Sequence, residues 1–267
     1  MNISTVSHLS RDTKHASQEG TDLESRSSRE ITPIELRLKP GERLTMAHDP
    51  YDPRCEKIRA LRTELLLRRE LNDRAEIFAL LSPCAGEGRS LLAAELAIAF
   101  AQTGRPTLLV DADLRRPHQH SFFGVDNLQG LSEAIEYDAA PLLHTVQGLP
   151  RMSVLMAGAV PSNPLELLSS RSFASMIEDW RNNFEFVVID TAPITQFSDG
   201  LAVARLVGRV LALSRAQHTP YKDMQDMLRR LAATRSQILG AVISHFRFRT
   251  GSPHSSAWRR RRTCWKR

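Results

Sequence analysis

No run in this chain is apolar for the ~20 residues that crossing a bilayer takes, and the opening residues carry Arg, Glu and Asp with no apolar signal-peptide core. Cysteine is scarce: Cys55, Cys84 and Cys264 are odd in number and far apart. That excludes a disulfide framework and a cysteine-based zinc site, and points to a reducing compartment. Tyrosine is equally scarce, limited to Tyr51, Tyr137 and Tyr221. An excess of one charge is also missing from the body. The formal net charge of +6 is matched by Arg259, Arg260, Arg261, Arg262, Lys266 and Arg267 alone. A basic balance confined to one end does not make the body a nucleic-acid binder, and no DNA partner is expected.

What is there is an alternation. Residues 1–46 are rich in Ser, Thr, Glu and Arg and read as a mobile extension. Ile58, Leu61, Leu65 and Leu66 recur at helical spacing, which predicts a helix over 52–71. Strand patterns then fall at 77–81, 107–110, 152–155, 186–189, 210–214 and 238–244. Helical patterns fall between them at 90–103, 131–137, 163–168, 173–182, 200–206 and 222–233. Asn163 before Pro164 suits an N-cap followed by the first helical position. Apolar strands joined by crossover helices predict an α/β fold, a doubly wound, mostly parallel sheet covered on both faces. The body runs from 47 to 246, and a basic tail from 247 to 267.

The strand ending near Leu81 leads into Ser82-Pro83-Cys84-Ala85-Gly86-Glu87-Gly88-Arg89-Ser90 and then a helix. Glycines let the backbone approach an anion, and a helix start directs unpaired N–H groups at phosphates. The strict pattern G-x-x-x-x-G-K-[ST] is broken twice, by Pro83 at the first Gly and Arg89 at the Lys. Arg offers a planar fork where Lys offers a compact charge. By itself the segment also fits a plain Gly-rich strand-to-helix turn.

Two further strands end in carboxylates. Leu108-Leu109-Val110 leads to Asp111 and Asp113, and Phe186-Val187-Val188-Ile189 to Asp190. Alternate residues at a strand end point to one side, and sheets of this type bind ligands at the C-terminal ends of their strands. ATP chemistry needs this combination: a loop for phosphates, a hydroxyl and carboxylates for Mg²⁺, and a carboxylate to polarise an attacking hydroxyl. The triphosphate is assigned to Ala85, Gly86, Glu87, Gly88, Arg89, Ser90 and Leu91. Mg²⁺ is assigned to Ser90, Asp190 and Asp111, and the chemistry to Asp111, Asp113 and Arg89. The plainer alternative makes the aspartates helix caps. Arg115 and Arg116 are open between phosphate, a subunit boundary and solvent.

These motifs resemble the bacterial tyrosine kinase family of exopolysaccharide synthesis, P-loop proteins related to partition and septum-site ATPases, in its chain-length-determinant branch. The resemblance covers about residues 47–246. It rests on Ser82 to Ser90, on an apolar triplet with D-x-D-x-R from Leu108 to Arg115, and on Phe186 to Pro193. The loop and helix start from Ala157 to Leu168 is similar too. The resemblance implies a P-loop NTPase of the deviant-Walker type. It further implies an ATP- and Mg²⁺-dependent protein-tyrosine kinase that regulates exopolysaccharide chain length, polymerisation and export. Glu56, Arg59 and Arg62 match the family's E-x-x-R-x-x-R, which implies a homo-oligomeric ring. The family's membrane-spanning chain-length regulator, the polysaccharide co-polymerase, would be a separate partner, with the kinase cytoplasmic and peripheral to the inner membrane.

Departures bear on the outcome. The family's C-terminal tyrosine cluster is absent, leaving Tyr51 as the internal acceptor. Ser244 stands where the family often has an adenine-contacting Asn. Cys84 replaces the signature lysine of partition ATPases; it reads either as a thiol activated by the helix start or as a small tolerated residue. Trp258 and Trp265 bracket the arginines of the tail, a composition that suits solvent, an anionic membrane surface or RNA. Two other functions remain open: a non-phosphorylating ATP-sensing assembly module, and a partition-type ATPase.

Overall fold

The computed structural model describes residues 33–69 and 75–245. The expectations for residues 1–32 and for the tail at 247–267 lie outside them. In chain order the elements are β1 (Pro33–Leu38), α1 (Thr45–His48), α2 (Pro53–Leu67), β2 (Glu76–Leu81), α3 (Arg89–Ala101), β3 (Thr107–Ala112), α4 (Gln119–Phe123), α5 (Leu131–Glu136), β4 (Leu143–Val146), β5 (Leu149–Leu155), α6 (Pro164–Leu168), α7 (Arg171–Asn183), β6 (Phe186–Thr191), α8 (Asp199–Val207), β7 (Arg209–Arg215), α9 (Tyr221–Ala232) and β8 (Gln237–Ser244).

The strands form one sheet in the order β1-β4-β5-β3-β6-β2-β7-β8. Every pair is parallel except β4–β5. β2, β3 and β6 are buried along their whole length, which is why they read as unbroken apolar runs. Period-two alternation then divides their side chains between two cores. Ile77, Ala79 and Leu81 pack with Trp180, Ile177, Val203 and Met227 of α7, α8 and α9. Phe78, Leu80 and Phe186 pack with Leu96, Ala97 and Phe100 of α3. Alanines at 93, 94, 97 and 99 bring α3 close to the sheet. Phe100 stacks on Phe186 with ring centroids 4.2 Å apart, a pairing that adds about 0.5–1.5 kcal/mol to area burial.

Three parts differ from the sequence reading. Residues 33–46 are not a mobile extension: β1 extends the sheet beside β4, and Leu38, Leu44 and Met46 are buried. The backbone N–H groups of Thr45 and Met46 donate to the Glu95 carboxylate on α3, both at 2.8 Å. A few well-placed apolar residues anchor a segment whose average composition is polar. β4 pairs antiparallel with β5 through the Gln147-Gly148 turn, where Gly148 takes a φ of 79°. β8 is an edge strand, with Ile238 and Ile243 exposed, so not every strand is covered on both faces.

Candidate nucleotide and phosphotransfer site

β6 lies between β3 and β2, and all three run parallel, so their C-terminal ends open on one edge of the sheet. Asp111 and Asp190 are direct neighbours across the β3–β6 ladder. A cleft of about 350 Å³ opens there, lined by Ala85 to Leu91, Asp113, Arg116, His118 and Phe122, with Arg43, Pro193, Gln196, Phe197, Arg215 and His245 around it.

One wall is the loop after β2. Gly86 and Gly88 take φ of 77° and 90°, and Gly88 caps α3 without a side-chain bond. An added Cβ would meet nothing within 4 Å at either glycine, so the requirement is backbone conformation, not space. The first-turn N–H groups of α3 face the cleft. Glu87, expected at the triphosphate, supports the loop from within. It is 1% exposed, accepts the Cys84 N–H at 3.0 Å and takes the Thr219 hydroxyl. Ser244 donates its hydroxyl to the Glu87 carbonyl at 2.8 Å. Arg215 donates to the Gly86 carbonyl at 3.0 Å. The Cys84 thiol is pushed up to about 11, chiefly by burial and further by its bond to Asp223. That overturns the activated-thiol alternative.

The other wall is carboxylate. Asp111 is fully buried; its Oδ1 accepts the Asp113 N–H, and its Oδ2 accepts those of His118 and Gln119 at 3.1 and 2.9 Å. It thus anchors the start of α4 from the strand end, although the N-cap residue of that helix is His118. Burial, then the charge of Asp190, pushes its pKa well above the carboxylate range. Asp113 lines the cleft and accepts the Arg116 N–H at 3.0 Å. Its pKa rises to about 6, through burial and the Asp190 charge against the opposing Arg89 charge.

Arg89 joins the two walls, where the sequence reading aims it at phosphate. Nε donates to Asp190 at 3.2 Å, Nη1 to Ser82 at 2.6 Å and Nη2 to Asp113 at 3.2 Å. Each Nη keeps a second hydrogen for an anion. Gln119, which no motif singled out, is fully buried. Its Nε2 donates to the Ser90 carbonyl at 3.0 Å and to Asp190 at 2.9 Å, while its Oε1 has no partner. Its signal was position alone, since it follows the D-x-D strand.

A triphosphate with its divalent ion fits this chemistry. The paired carboxylates of Asp111 and Asp190 call for a cation, the orphaned Gln119 Oε1 calls for a hydrogen donor, and the glycine loop supplies N–H groups. Among the described residues no cluster of three or more His, Cys, Asp or Glu side chains could hold a metal ion; Mg²⁺ does not need one, because phosphates and water complete its shell.

Other expected residues are separated. Arg115 pairs with Asp199 at 2.5 Å and lies over the Phe197 ring at 4.3 Å, half-buried. On α2, Glu56 and Arg59 are 3.4 Å apart on the surface. Arg62 instead turns inward and donates to the Ala99 carbonyl of α3 at 2.8 Å.

No protein-family model matches the chain. It is 32% identical over 202 residues to the putative tyrosine-protein kinase CapB of Staphylococcus aureus, covering 74% of this chain and 87% of that protein. The tyrosine-protein kinase YwqD of Bacillus subtilis is 31% identical, covering 73% and 83%. The tyrosine-protein kinase etk of Escherichia coli is 31% identical, but the chain spans only 27% of its length. Among solved structures, the chimerical protein CapA2B2 superposes with a TM-score of 0.71 at 28% identity, covering 79% of this chain and 93% of that one. The septum-site protein MinD of Pyrococcus horikoshii, complexed with Mg-ADP, shares the fold at 20% identity, with a TM-score of 0.52 over 63% of this chain and 70% of that one.

Proposed function

The chain belongs to the bacterial tyrosine-protein kinase family, and from that premise we propose that it transfers the γ-phosphoryl group of ATP to tyrosine hydroxyls in a system that sets the chain length, polymerisation and export of an exopolysaccharide. The observation that carries this reading is Asp113 in the cleft, bridged through Arg89 to the loop at Gly86–Ser90. A pKa of about 6 leaves the Asp113 carboxylate ionised at neutral pH, and able to take a phenol proton. Amides of the loop and the free Nη hydrogens of Arg89 hold the phosphates. Ser90 and Asp190, with Asp111 behind them, would hold Mg²⁺, which supplies charge neutralisation on the phosphates when bound. Gln119 keeps Asp190 and the start of α3 in register.

Tyr51, 93% exposed, is the acceptor within the chain and is reached from another copy. Glu56 and Arg59 are the surface through which copies meet in a ring. A membrane-spanning regulator provides the activating cytoplasmic segment, and the tail binds the anionic membrane beside it, which places the enzyme in the cytoplasm against the inner membrane. Incubation with Mg-ATP and that segment, followed by mass-spectrometric mapping, is expected to yield phosphotyrosine that Asp113→Asn abolishes. Tight ATP binding without phosphotyrosine selects the alternative of an ATP-sensing assembly module, which the commitment of Arg89 to carboxylates favours. Equal liposome binding with and without residues 258–267 removes the tail from the membrane.

A further inference from the structure

We propose that this site takes tyrosines flanked by carboxylates, and that Arg43 and Arg116 read those flanks. The proposal rests on the phosphotransfer reading above and adds its substrate class.

The cleft has a lopsided charge. Its lining carboxylates, Glu87 and Asp113, are buried, and both are already engaged, in the loop and with Arg89. Its exposed cations have no such counterparts. Among the described residues, the guanidinium of neither Arg43 nor Arg116 pairs with a carboxylate, and both side chains are exposed. Arg215 belongs to the loop side, where it holds the Gly86 carbonyl. Arg116 stands beside Asp113, and Arg43 beside Phe122 of α4. The Arg116 backbone N–H donates to Asp113 Oδ1 at 3.0 Å, which roots its side chain beside the base. The Arg43 guanidinium lies 5.4 Å over the Phe122 ring at the mouth of the cleft.

Arg43 is placed there by a rigid frame. The Gly41 N–H donates to the Phe122 carbonyl at 2.8 Å, an approach so close that a Cβ on Gly41 would come 2.8 Å from that oxygen. Leu44 is fully buried next to it, and Glu95 holds the two following N–H groups. The segment at 33–46 thus carries a cation to a cleft whose loop already offers amides and Arg89 to phosphate.

A tyrosine must pass these cations to bring its hydroxyl to Asp113. The phenol has no charge for them, whereas a neighbouring carboxylate does. Tyr51 shows the pattern within this chain, lying between Asp49 and Asp52. In the transfer, tyrosine Oη bonds to the γ-phosphorus, the bond from phosphorus to the ADP oxygen breaks, and the phenol proton passes to Asp113, giving ADP and phosphotyrosine.

The test uses the full chain with Mg-ATP, the regulator's cytoplasmic segment and two peptides. One has the sequence of residues 47–54, and the other has Asn in place of both aspartates. We expect KM for the acidic peptide to be roughly five- to tenfold lower, as two solvent-facing ion pairs allow. The double variant Arg43→Ala, Arg116→Ala removes that difference with KM for ATP unchanged, and Arg43→Lys, Arg116→Lys restores part of it. Equal KM values for the two peptides with wild type overturn the acceptor assignment alone. So does a double variant whose defect lies in KM for ATP, because the cations then serve phosphate. If wild type phosphorylates neither peptide nor itself, the kinase reading falls and this proposal falls with it.

Discussion

The loop after β2 and the strand ends of β3 and β6 face each other across the cleft, but the first works through its backbone and the second through buried side chains. Gly86 and Gly88 contribute dihedral angles and N–H groups, and even the carboxylate of Glu87 serves the loop's own shape. Asp111, Asp113 and Asp190 contribute carboxyl groups, held almost free of solvent. Backbone tolerates substitution wherever the conformation is ordinary. Position 83 is not among those with positive φ, so Pro83 stands where the strict pattern asks for glycine. A buried carboxylate has no such latitude, because its partners are left uncompensated when it changes.

The contrast is tested most severely at Asp113. Asp113→Asn is expected to lower kcat by about 10³, within the range for general base catalysis, with ATP affinity by calorimetry little altered. Retained turnover would move the base elsewhere. In wild type, kcat/KM should fall as pH drops through about 6, the value to which Asp113 is raised. Stability responds with the opposite sign. The folded state favours the proton on Asp113, so its contribution is complete below the ordinary 3.8 and lost as pH rises through about 6, a total of about 3 kcal/mol before other groups are counted.

Gly88→Ala probes the backbone wall. Space is open there, so only the φ of 90° opposes it, at about 1–2 kcal/mol. ATP affinity and chemical denaturation should both register the change; a neutral result would return the loop to an ordinary turn. Gln119→Ala, which unties Asp190 from the Ser90 carbonyl, is expected to cost about 1 kcal/mol in urea unfolding and to raise the Mg²⁺ concentration needed for half-maximal activity. If the Mg²⁺ requirement stays put, Gln119 only packs. The smallest effect on activity is expected at Arg62. Arg62→Ala loses one bond to the Ala99 carbonyl and should reduce monomer stability by about 0.5–1.5 kcal/mol. An unchanged melting temperature with a broken oligomer would instead assign Arg62 to the subunit boundary.

Legibility followed burial. β2, β3 and β6 were readable because a strand covered on both faces is apolar at every position, and the carboxylates stood out because they interrupt those runs. β1, α1 and β4 were not readable: short elements at the margin of a sheet need only a few apolar anchors, such as Leu38, Leu44 and Met46, and a polar average conceals them. Gln119 and Arg43 were missed for a related reason. Neither belongs to a motif, and each gains its place through contacts with residues distant in sequence, Asp190 for one and Phe122 for the other.

Local order along the chain was enough to determine a mostly parallel α/β sheet, a glycine-bearing loop that runs into a helix start, and carboxylates at two strand tips, since periodicity and residue type act over a few neighbours. Tertiary structure alone decided what those groups do to one another. It turned Arg89 onto Asp113 and Asp190, closed Asp111 within backbone N–H groups, folded Arg62 inward and brought Arg43 to the cleft. Such outcomes depend on distances between residues far apart in the chain and on the loss of water around them, and neither is encoded at any single position.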